Sequence, residues 1–440
     1  MAHRVVILGG GFGGLYAARA LRKAPVAVIL LDRRNFHLFQ PLLYQVATGS
    51  LSPGEICSPL RSVLARQKNT HVLLGEAVDI DPRARTVQLH DGALFPYDSL
   101  IVSTGAETNY FGHDSWRELA PSLKGLEEAT AIRHKILYAF EAAEREEDDA
   151  RRRAWLTFVI VGGGATGVEL SGALGEIAIH TLKNEFRSIN PRDAQILLLD
   201  GNPRLLTTYP EDLSRRAEES LIKLGVRVIM GVNVVKVDAD GVSFGPPGGK
   251  VERLATKTVL WAGGVHVAGF GHILAARTGA QTDRGGRIKV NPDLTLPGYP
   301  EIYVVGDLGQ IAGPDGKPLP GVAQVAMQGG GYAAKTIVAR LQGSTEHRPF
   351  HYFDLGDIAV IGRAAAVARI FRFHLHGLLA WLVWLFIHLM NLVQFQSRVL
   401  VFIQWGFQYL TFSRGARLIT GSAVADSLEP GPTMKNVARQ

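Results

Sequence analysis

The 440-residue sequence contains one cysteine, Cys57. A single thiol excludes an intrachain disulfide and any pair of thiols that could pass electrons between them. His374, His376 and His388 stand at irregular spacing without a cluster of acids or cysteines, which argues against a metal site. The N-terminal segment MAHRVVILGGG lacks a separate basic region and a cleavable apolar segment, so we predict no signal peptide.

Acidic residues are scarce towards the C-terminus. Residues 361–440 contain eight Lys and Arg and two acids, which gives +6 of the formal net charge of +7. Basic residues beside apolar runs are typical of a surface that meets an anionic membrane. They are not interleaved with the aromatic motifs of RNA-binding domains, so no nucleic-acid partner is predicted.

Charge is also missing from residues 377–397, GLLAWLVWLFIHLMNLVQFQS, and a second apolar run extends from residue 399 to 413. The first run has about the 20 residues that a membrane-spanning helix needs. On a helical wheel, however, one stripe contains Gly377, Trp381, Trp384, His388, Asn391 and Arg398, and a second contains Ser397, Gln404, Gln408 and Thr411. This pattern favours helices over about 375–415 that lie in the membrane interface. A spanning hairpin and a buried soluble helix pair are the alternatives.

The first glycine cluster follows a short apolar strand. Residues 4–8, RVVIL, lead into Gly9-Gly10-Gly11-Phe12-Gly13-Gly14, and a helical pattern follows. This strand–turn–helix context with G-x-G-x-x-G predicts dinucleotide binding, because glycines let backbone N–H groups approach a pyrophosphate at a helix N-terminus. The next strand ends at Asp32, which can accept hydrogen bonds from ribose hydroxyls. Arg33 follows as a phosphate or adenine contact, or as a surface charge.

The pattern recurs at LTFVIV (156–161), which leads into Gly162-Gly163-Gly164-Ala165-Thr166-Gly167 and a helix. The following strand, QILLLD, ends at Asp200. Two fingerprints predict two dinucleotides, a resident flavin at the first and an exchangeable nicotinamide at the second. Asp200 places a carboxylate where NADPH carries its 2′-phosphate, so NADH is favoured.

Three further strands are predicted to end beside a cofactor. LIVSTGAETNY (100–110) and TVLWAGGV (258–265) end in small residues that let a cofactor approach closely. EIYVVGDLGQ (301–310) ends in Gly306-Asp307, and an acid at that position can accept hydrogen bonds from ribityl hydroxyls. A surface turn is the alternative for Asp307.

The order of these motifs predicts an α/β fold with two Rossmann-like dinucleotide-binding domains, one inserted in the other, plus a C-terminal α-helical membrane-docking region. The predicted divisions are an FAD-binding domain (1–120 and 287–340), a linking helical segment (121–154), an NADH-binding domain (155–286) and a C-terminal membrane-anchoring domain (341–440).

This layout resembles the two-dinucleotide-binding-domain flavoproteins, and nearly the whole chain resembles their type II NADH dehydrogenases, the non-proton-pumping NADH:quinone oxidoreductases. The cysteine pairs of disulfide reductases and sulfide:quinone reductases are missing. The resemblance is carried by FHLFQPLLYQVATGSLSPGEICSPLR (36–61), VGGGATGVELSGAL (161–174), AQVAMQGG (323–330), YFDLGDIAVIGRAAAV (352–367), AWLVWLFIHL (380–389) and SRGARLITG (413–421). Some members carry a Lys just after the Tyr of the 352 segment; here Phe353, Asp354 and Leu355 follow Tyr352, so no basic quinone ligand is expected there.

The resemblance implies FAD as the cofactor, NADH as a substrate and a membrane quinone as the electron acceptor. Its implied FAD contacts are Gly9, Gly11, Phe12, Gly14, Asp32, Arg33, Pro41, Thr104, Gly105, Asp307, Ala323 and Gln324. Its implied NADH contacts are Gly162, Gly164, Thr166, Gly167, Glu169, Asp200, Gly263 and Gly264.

Three residues are candidates for catalysis. Glu169, two residues past Gly167, is implied to steer NADH or relay a proton, and the alternative is a favourable contact with the helix dipole. Gln324 and Gln328 are four residues apart and share a helix face, where amides can donate to a quinone carbonyl or to flavin oxygens. Helix capping or surface polarity is the alternative for both.

The expected reaction passes hydride from NADH to FAD and then two electrons to the quinone without proton pumping. The expected location is the cytoplasmic face of the cell membrane, with the protein peripheral or monotopic on the lipid bilayer surface and a homodimer as an open alternative. The rival functions are a flavin reductase of the same architecture for a protein or a naphthoquinone precursor, and a membrane-docked NADH sensor.

Overall fold

The computed structural model describes residues 2–267, 269–344 and 348–420. It divides into two compact units. The first unit comprises Met1–Leu38, Cys57–Asn109 and Val265–Leu355, and the second comprises Phe39–Ile56, Tyr110–Gly264 and Gly356–Gln440. Most of the second unit therefore interrupts the chain of the first, as the order of the two fingerprints predicts.

The unit boundaries differ from the predicted domain boundaries. Residues 265–286 lie in the first unit, although the sequence places them in the NADH-binding domain. Residues 39–56 and 110–120 lie in the second unit, although the sequence places them in the FAD-binding domain. Chain order alone does not show which unit a connecting segment packs with. The last part of the predicted C-terminal domain, 421–440, lies outside the described residues.

Elements are numbered in chain order over both units. The helices of the first unit are α1 (Phe12–Ala20), α4 (Leu60–Leu64), α10 (Phe270–Thr278) and α11 (Ala323–Leu341). Its strands are β1 (His3–Leu8), β2 (Val26–Asp32), β3 (Phe36–Leu38), β4 (Cys57–Pro59), β5 (Thr70–Leu74), β6 (Ala77–Asp81), β7 (Thr86–Leu89), β8 (Leu94–Pro96), β9 (Ser99–Val102), β10 (Glu107–Thr108), β18 (Val265–His266), β19 (Ile288–Lys289), β20 (Thr295–Leu296), β21 (Tyr299–Val304) and β22 (Gly309–Gln310).

A six-stranded sheet with the order β20-β21-β9-β1-β2-β5 forms the centre of the first unit. Its strands run parallel except for the edge strand β20. Val5, Val6 and Ile7 of β1 have no exposed surface, as expected for a central parallel strand covered on both faces. The carboxyl ends of β1, β2, β9 and β21 therefore share one edge of the sheet, the edge where nucleotides bind in this architecture.

The helices of the second unit are α2 (Leu43–Ala47), α3 (Pro53–Ile56), α5 (Trp116–Leu119), α6 (Leu126–Arg145), α7 (Asp149–Trp155), α8 (Ala165–Glu176), α9 (Glu211–Lys223), α12 (Gly377–Asn391) and α13 (Phe395–Thr411). Its strands are β11 (Thr157–Val161), β12 (Gln195–Asp200), β13 (Val226–Met230), β14 (Asn233–Asp238), β15 (Gly241–Gly245), β16 (Glu252–Ala255), β17 (Thr258–Trp261), β23 (Asp357–Gly362), β24 (Ala365–Ile370) and β25 (Phe373–His376).

The second unit contains a four-stranded parallel sheet with the order β13-β12-β11-β17. β14, β15 and β16 form an antiparallel sheet, and so do β23, β24 and β25. Helix α12 packs against β24, and α8 packs against β23. The C-terminal sheet thus connects the helix that follows the second glycine loop to the apolar C-terminal helices.

Both predicted apolar runs are helical, but each helix is short. α12 has 15 residues and α13 has 17, so they are about 22 and 25 Å long at 1.5 Å per residue. The hydrocarbon core of a bilayer is about 30 Å thick. Within the described residues, no helix has the length and apolar character needed to cross a membrane.

Helix α11 packs closely against α1 through two glycines. A Cβ on Gly330 would overlap the carbonyl oxygen of Gly13. The adjacent Gly331 differs, since a Cβ there would meet no neighbouring atom of the described residues within 4 Å. Gly330 and Gly331 both lie inside α11. A comparison of alanine variants at these two positions therefore separates the effect of the α1–α11 contact from that of helix propensity.

We expect Gly330→Ala to destabilise the protein by about 1–3 kcal/mol, because the added methyl group must push the two helices apart. We expect Gly331→Ala to leave stability unchanged or to raise it by up to about 1 kcal/mol, because alanine favours the helix. Thermal unfolding of both variants measures the difference. Equal midpoints for the two variants would contradict the close contact.

Candidate active site

The first glycine loop joins β1 to α1. Gly9 has a φ of +97°, a left-handed conformation that favours glycine. A Cβ on Gly14 would overlap the carbonyl oxygen of Gly9, so a side chain there would push the helix off the loop. A Cβ on Gly11 would meet no neighbouring atom of the described residues within 4 Å. Phe12 begins the helix directly after it, so the N–H groups of that turn lie where a phosphate can approach.

The second glycine loop, between β11 and α8, repeats this pattern at the three corresponding glycines, Gly162, Gly164 and Gly167. Gly162 has a φ of +118°, and a Cβ on it would lie 2.6 Å from the carbonyl oxygen of Ala262. A Cβ on Gly167 would overlap the carbonyl oxygen of Gly162, whereas Gly164 has no such neighbour within 4 Å among the described residues. Thr166 lies in the first turn of α8. Both predicted strand–turn–helix motifs are therefore confirmed.

Each loop is held by the acid at the end of the next strand. Asp32 accepts hydrogen bonds from the Gly10 N–H at 2.5 Å and from the Arg34 N–H at 2.6 Å. Burial raises the pKa of Asp32 in spite of these bonds. Asp200 accepts a short hydrogen bond from the N–H of Gly163. The sequence predicts a ribose contact for both acids, and the structure adds a second task, since each carboxylate also fixes the loop.

The sequence did not predict a role for His37, which is buried against the first loop. Its Nδ1 lies 3.0 Å from the carbonyl oxygen of Gly10, which can only accept, so Nδ1 carries the proton. Burial lowers the pKa of His37 to about 4 and keeps the ring neutral. Phe12 packs edge-on against the ring with centroids 5.0 Å apart. The apolar segment around His37 gives no signal of this contact.

Four other predicted FAD residues lie at the same edge of the six-stranded sheet. Thr104 and Gly105 follow β9, and Gly105 has a φ of +76°. Asp307 follows β21, and Ala323 begins α11. Thr104, Gly105 and Asp307 meet at this edge because β9 pairs in parallel with both β1 and β21. The first unit thus assembles an extended site from four separate segments.

Two predicted FAD residues fit less directly. The side chain of Arg33 is about half exposed and lies 3.9 Å from Glu76 and 4.0 Å from Glu107, which favours the surface interpretation. Pro41 lies in the short turn Gln40–Leu42 of the second unit, so its flavin contact stays a prediction.

Gln324 and Gln328 share one face of α11, as predicted, but both bind the chain of residues 352–355. The Gln328 amide donates to the Phe353 carbonyl oxygen and accepts from the Phe353 N–H, both at 2.9 Å. The Gln324 carbonyl oxygen accepts from the Tyr352 hydroxyl at 3.2 Å and from the Leu355 N–H at 3.3 Å. The amides therefore hold this segment against the helix, a role that spacing alone does not reveal.

The second unit contains a cavity of about 100 Å³. Its aromatic lining residues are Tyr44, Trp381, Trp384, Trp405, Tyr409 and Phe412, and its polar ones include Gln45, Glu169, Glu176, Arg363 and Arg414. Trp405 donates through Nε1 to the side-chain oxygen of Gln45 at 2.7 Å, and the Gln45 amide donates to the Tyr44 hydroxyl at 2.8 Å. The aromatic wall is thus held by its own hydrogen bonds.

Glu169 lines this cavity from α8. The N–H of Val360 is its hydrogen-bond donor, at 3.5 Å. Burial raises the pKa of Glu169 to about 8, and the hydrogen bond offsets only part of that shift. The carboxyl group is therefore mainly protonated at neutral pH and can donate a proton into an aromatic cavity.

A second acid of α8, Glu176, also lines the cavity and has a charged partner. Glu176 forms a salt bridge with Arg414 at 2.9 Å, and the N–H of Arg363 also donates to its carboxylate. Arg414 is buried and also donates to the carbonyl oxygen of Thr48 at 3.3 Å. This ion pair, which the sequence did not predict, connects the segment after α13 to α8.

The remaining predicted NADH residues lie near the second loop. Gly263 and Gly264 follow β17, which pairs in parallel with β11. Gly264 has a φ of +52°. Because β11 and β17 are neighbours, their carboxyl ends bring these glycines to the edge where Gly162 begins the loop.

Comparisons with known proteins assign the chain to a family. Residues 3–330 match the pyridine nucleotide-disulphide oxidoreductase family. Two proteins of Mycobacterium tuberculosis named type II NADH:quinone oxidoreductase, Ndh and NdhA, are similar to this chain. Ndh is 44% identical over 423 residues, which cover 95% of this chain and 90% of Ndh. NdhA is 43% identical over 429 residues, which cover 96% and 90%.

Solved structures share the fold at low sequence identity. NDH2 of Plasmodium falciparum, in complex with NADH, has a TM-score of 0.84 and 19% identity, with 96% of this chain and all of that one covered. The sulfide:quinone oxidoreductase of Aquifex aeolicus has a TM-score of 0.70 and 19% identity, with 97% and 94% covered. Since the match to the mycobacterial relatives extends over nearly the whole chain, the protein belongs to the type II NADH:quinone oxidoreductases.

Proposed function

We propose that this protein oxidises NADH at the second glycine loop and passes the electrons through FAD at the first glycine loop to a membrane quinone, without pumping protons. The observation that carries this proposal is the pair of loops with the same pattern of glycines: a left-handed first glycine, an open third one and a last one that leaves no room for a side chain. Each loop is held by the carboxylate that ends the next strand. The names of the M. tuberculosis relatives, and the NADH in the P. falciparum complex, support the choice of substrates.

The first loop suits the pyrophosphate of FAD, because Gly11 leaves the backbone accessible where a side chain would cover it. Asp32 would accept hydrogen bonds from the adenosine ribose, since each carboxylate oxygen can accept more than the one N–H that it already binds. Asp307 would bind the ribityl chain. FAD supplies the hydride and electron chemistry, and the protein supplies position and local charge.

NADH would bind the second loop in the corresponding way. Asp200 ends β12 and is only partly exposed, with one oxygen bound to the Asn202 N–H at 2.6 Å. A 2′-phosphate beside this carboxylate would bring two negative charges together, which costs several kcal/mol. The carboxylate therefore selects NADH over NADPH.

We expect Asp200→Asn to lower the ratio of kcat/KM for NADH over NADPH by about tenfold or more, because the repulsion of the 2′-phosphate is removed. Steady-state rates with both nucleotides and a water-soluble electron acceptor measure the ratio. Asp193→Asn is the matched control, since Asp193 is exposed in the same unit. An unchanged ratio in Asp200→Asn would refute the role of this carboxylate.

The cavity of the second unit would receive the quinone headgroup. Its aromatic walls suit a flat apolar ring, and a few polar groups can fix the orientation of the ring. Quinone reduction consumes two protons for each two electrons. Glu169 would donate one of them, because its carboxyl group holds a proton at neutral pH.

We expect the oxidation of reduced enzyme by quinone to slow as the pH rises through about 8, since Glu169 then loses the proton that it donates. Glu169→Gln should slow this step at neutral pH and abolish the inflection, while FAD stays bound. Stopped-flow absorbance of the flavin at several pH values measures both effects. Glu185→Gln is the control, because Glu185 pairs with Arg417 at the surface. This variant should keep the inflection of the rate near pH 8. An unchanged profile in Glu169→Gln would remove Glu169 from the proton path.

The C-terminal helices would bind the membrane through their outer face. That face is formed by Leu378, Leu379, Leu382, Phe386 and Met390 of α12 and by Phe395, Val399, Leu400, Phe402, Ile403, Phe407 and Leu410 of α13, all of which are exposed. A patch of twelve exposed apolar side chains is typical of a surface that contacts a membrane or another protein. The protein would thus lie on the bilayer surface, with the nucleotide sites on the cytoplasmic side where NADH is found.

We expect Ile403→Gln to lower the affinity of the protein for lipid vesicles by about tenfold, because one exposed isoleucine no longer enters the lipid. Ile222→Gln in α9 is the matched control, since Ile222 is 57% exposed and Ile403 is 62% exposed. Co-sedimentation with vesicles measures the affinity. Equal loss in the two variants would mean that α13 has no special role in docking.

A further inference from the structure

One row of rings in the second unit contains the guanidinium of Arg363, and the row borders the cavity, since Trp381, Tyr409, Phe412 and Arg363 all line it. The rings of Trp381 and Tyr409 have centroids 5.2 Å apart, and those of His180 and Phe412 have centroids 4.5 Å apart. The guanidinium carbon of Arg363 lies 4.1 Å from the centre of Tyr409 and 4.2 Å from the centre of Phe412. Arg363 therefore connects the two pairs of rings through cation–π contacts.

Arg363 differs from the other arginines near it in the way its charge is compensated. Arg369, Arg414 and Arg417 pair with Asp357, Glu176 and Glu185. Among the residues that the structure describes, no carboxylate pairs with the guanidinium of Arg363, although its backbone N–H binds Glu176. A guanidinium whose charge meets only rings retains in-plane N–H groups that can bind an anion with two parallel hydrogen bonds.

The row lies at the border of the exposed apolar face of α12 and α13. Tyr409 and Trp381 are partly exposed and stand next to the exposed residues Leu410 and Leu382. Trp and Tyr beside apolar side chains, with Arg near them, are typical of the level of lipid headgroups at a membrane interface. An anion at Arg363 would therefore lie at headgroup depth when the apolar face is in the lipid.

We propose that Arg363 binds the phosphate of an anionic phospholipid through bidentate hydrogen bonds, while Tyr409 and Phe412 hold its guanidinium in place. This inference rests on the proposed docking of α12 and α13 to the membrane. We assign the bound anion to a lipid for two reasons. The apolar face continues directly from the ring row, and the C-terminal region has a surplus of positive charge. The site gives the docking surface a preference for anionic headgroups.

The experiment compares binding of the FAD-loaded protein to vesicles of phosphatidylcholine alone and to vesicles with added phosphatidylglycerol. Arg372 is the matched control, because it is an exposed arginine of the same region, with its guanidinium carbon 5.4 Å from the centre of the Phe373 ring. Losing one positive charge near the surface lowers affinity for anionic membranes by about fivefold. We expect that loss from Arg372→Gln and a loss at least about tenfold larger from Arg363→Gln.

Two further variants separate a bound phosphate from general attraction and from misfolding. Arg363→Lys keeps the charge but not the planar fork, so it should lose part of the preference, whereas Arg372→Lys should keep all of it. Flavin content and the thermal midpoint check folding. Equal losses in Arg363→Gln and Arg372→Gln, or no preference of the wild-type protein for phosphatidylglycerol, would overturn the proposal. Binding to phosphatidylcholine alone tests the docking of the helices separately.

Inorganic phosphate distinguishes the two sources of the anion. We expect it to weaken binding to phosphatidylglycerol vesicles no more than chloride does at the same ionic strength. A larger effect of phosphate, lost in Arg363→Gln, would assign the site to free phosphate and overturn the assignment to a lipid.

Discussion

Each nucleotide loop of this protein depends on a backbone contact that leaves no room for a side chain. Gly14 lies against the carbonyl oxygen of Gly9, and Gly167 lies against that of Gly162. This contact brings the start of a helix next to the end of a strand, where N–H groups can bind a pyrophosphate. Asp32 and Asp200 then fix the loops through the residue after the first glycine. The geometry of both sites follows from this contact.

Helix α8 extends the second loop to the cavity and presents two acids with different properties there. Glu169 and Glu176 are seven residues apart and so share one side of the helix. Burial raises the pKa of Glu169 to about 8, and this carboxyl group accepts a hydrogen bond from the N–H of Val360, whereas Glu176 is bound to Arg414. These environments suit Glu169 to the proposed proton donation and Glu176 to a structural salt bridge, a common way to divide roles between two carboxyl groups.

The C-terminal helices have a polar face that contacts the rest of the second unit and an apolar face that is exposed. The amides of Gln404 and Gln408 donate to the carbonyl oxygen of Ser50, and Trp405 donates to Gln45. Buried polar groups need partners, and the protein surface provides them, so the polar stripe packs inward. The helices therefore line the cavity and expose apolar side chains at the same time, so the proposed quinone site and the proposed membrane-binding face share the same two helices.

The sequence by itself determined both glycine loops, the acids that follow them and the amphipathic character of residues 377–411, because local spacing sets turns, helix faces and strand ends. Tertiary structure decided what the polar side chains bind. The predicted contact of Gln328 with a quinone carbonyl or a flavin oxygen stays a prediction, whereas the structure shows its amide bound to Phe353. The pairing of Glu176 with Arg414 joins residues that are 238 positions apart. Contacts of this kind depend on the packing of distant segments, which no local pattern records.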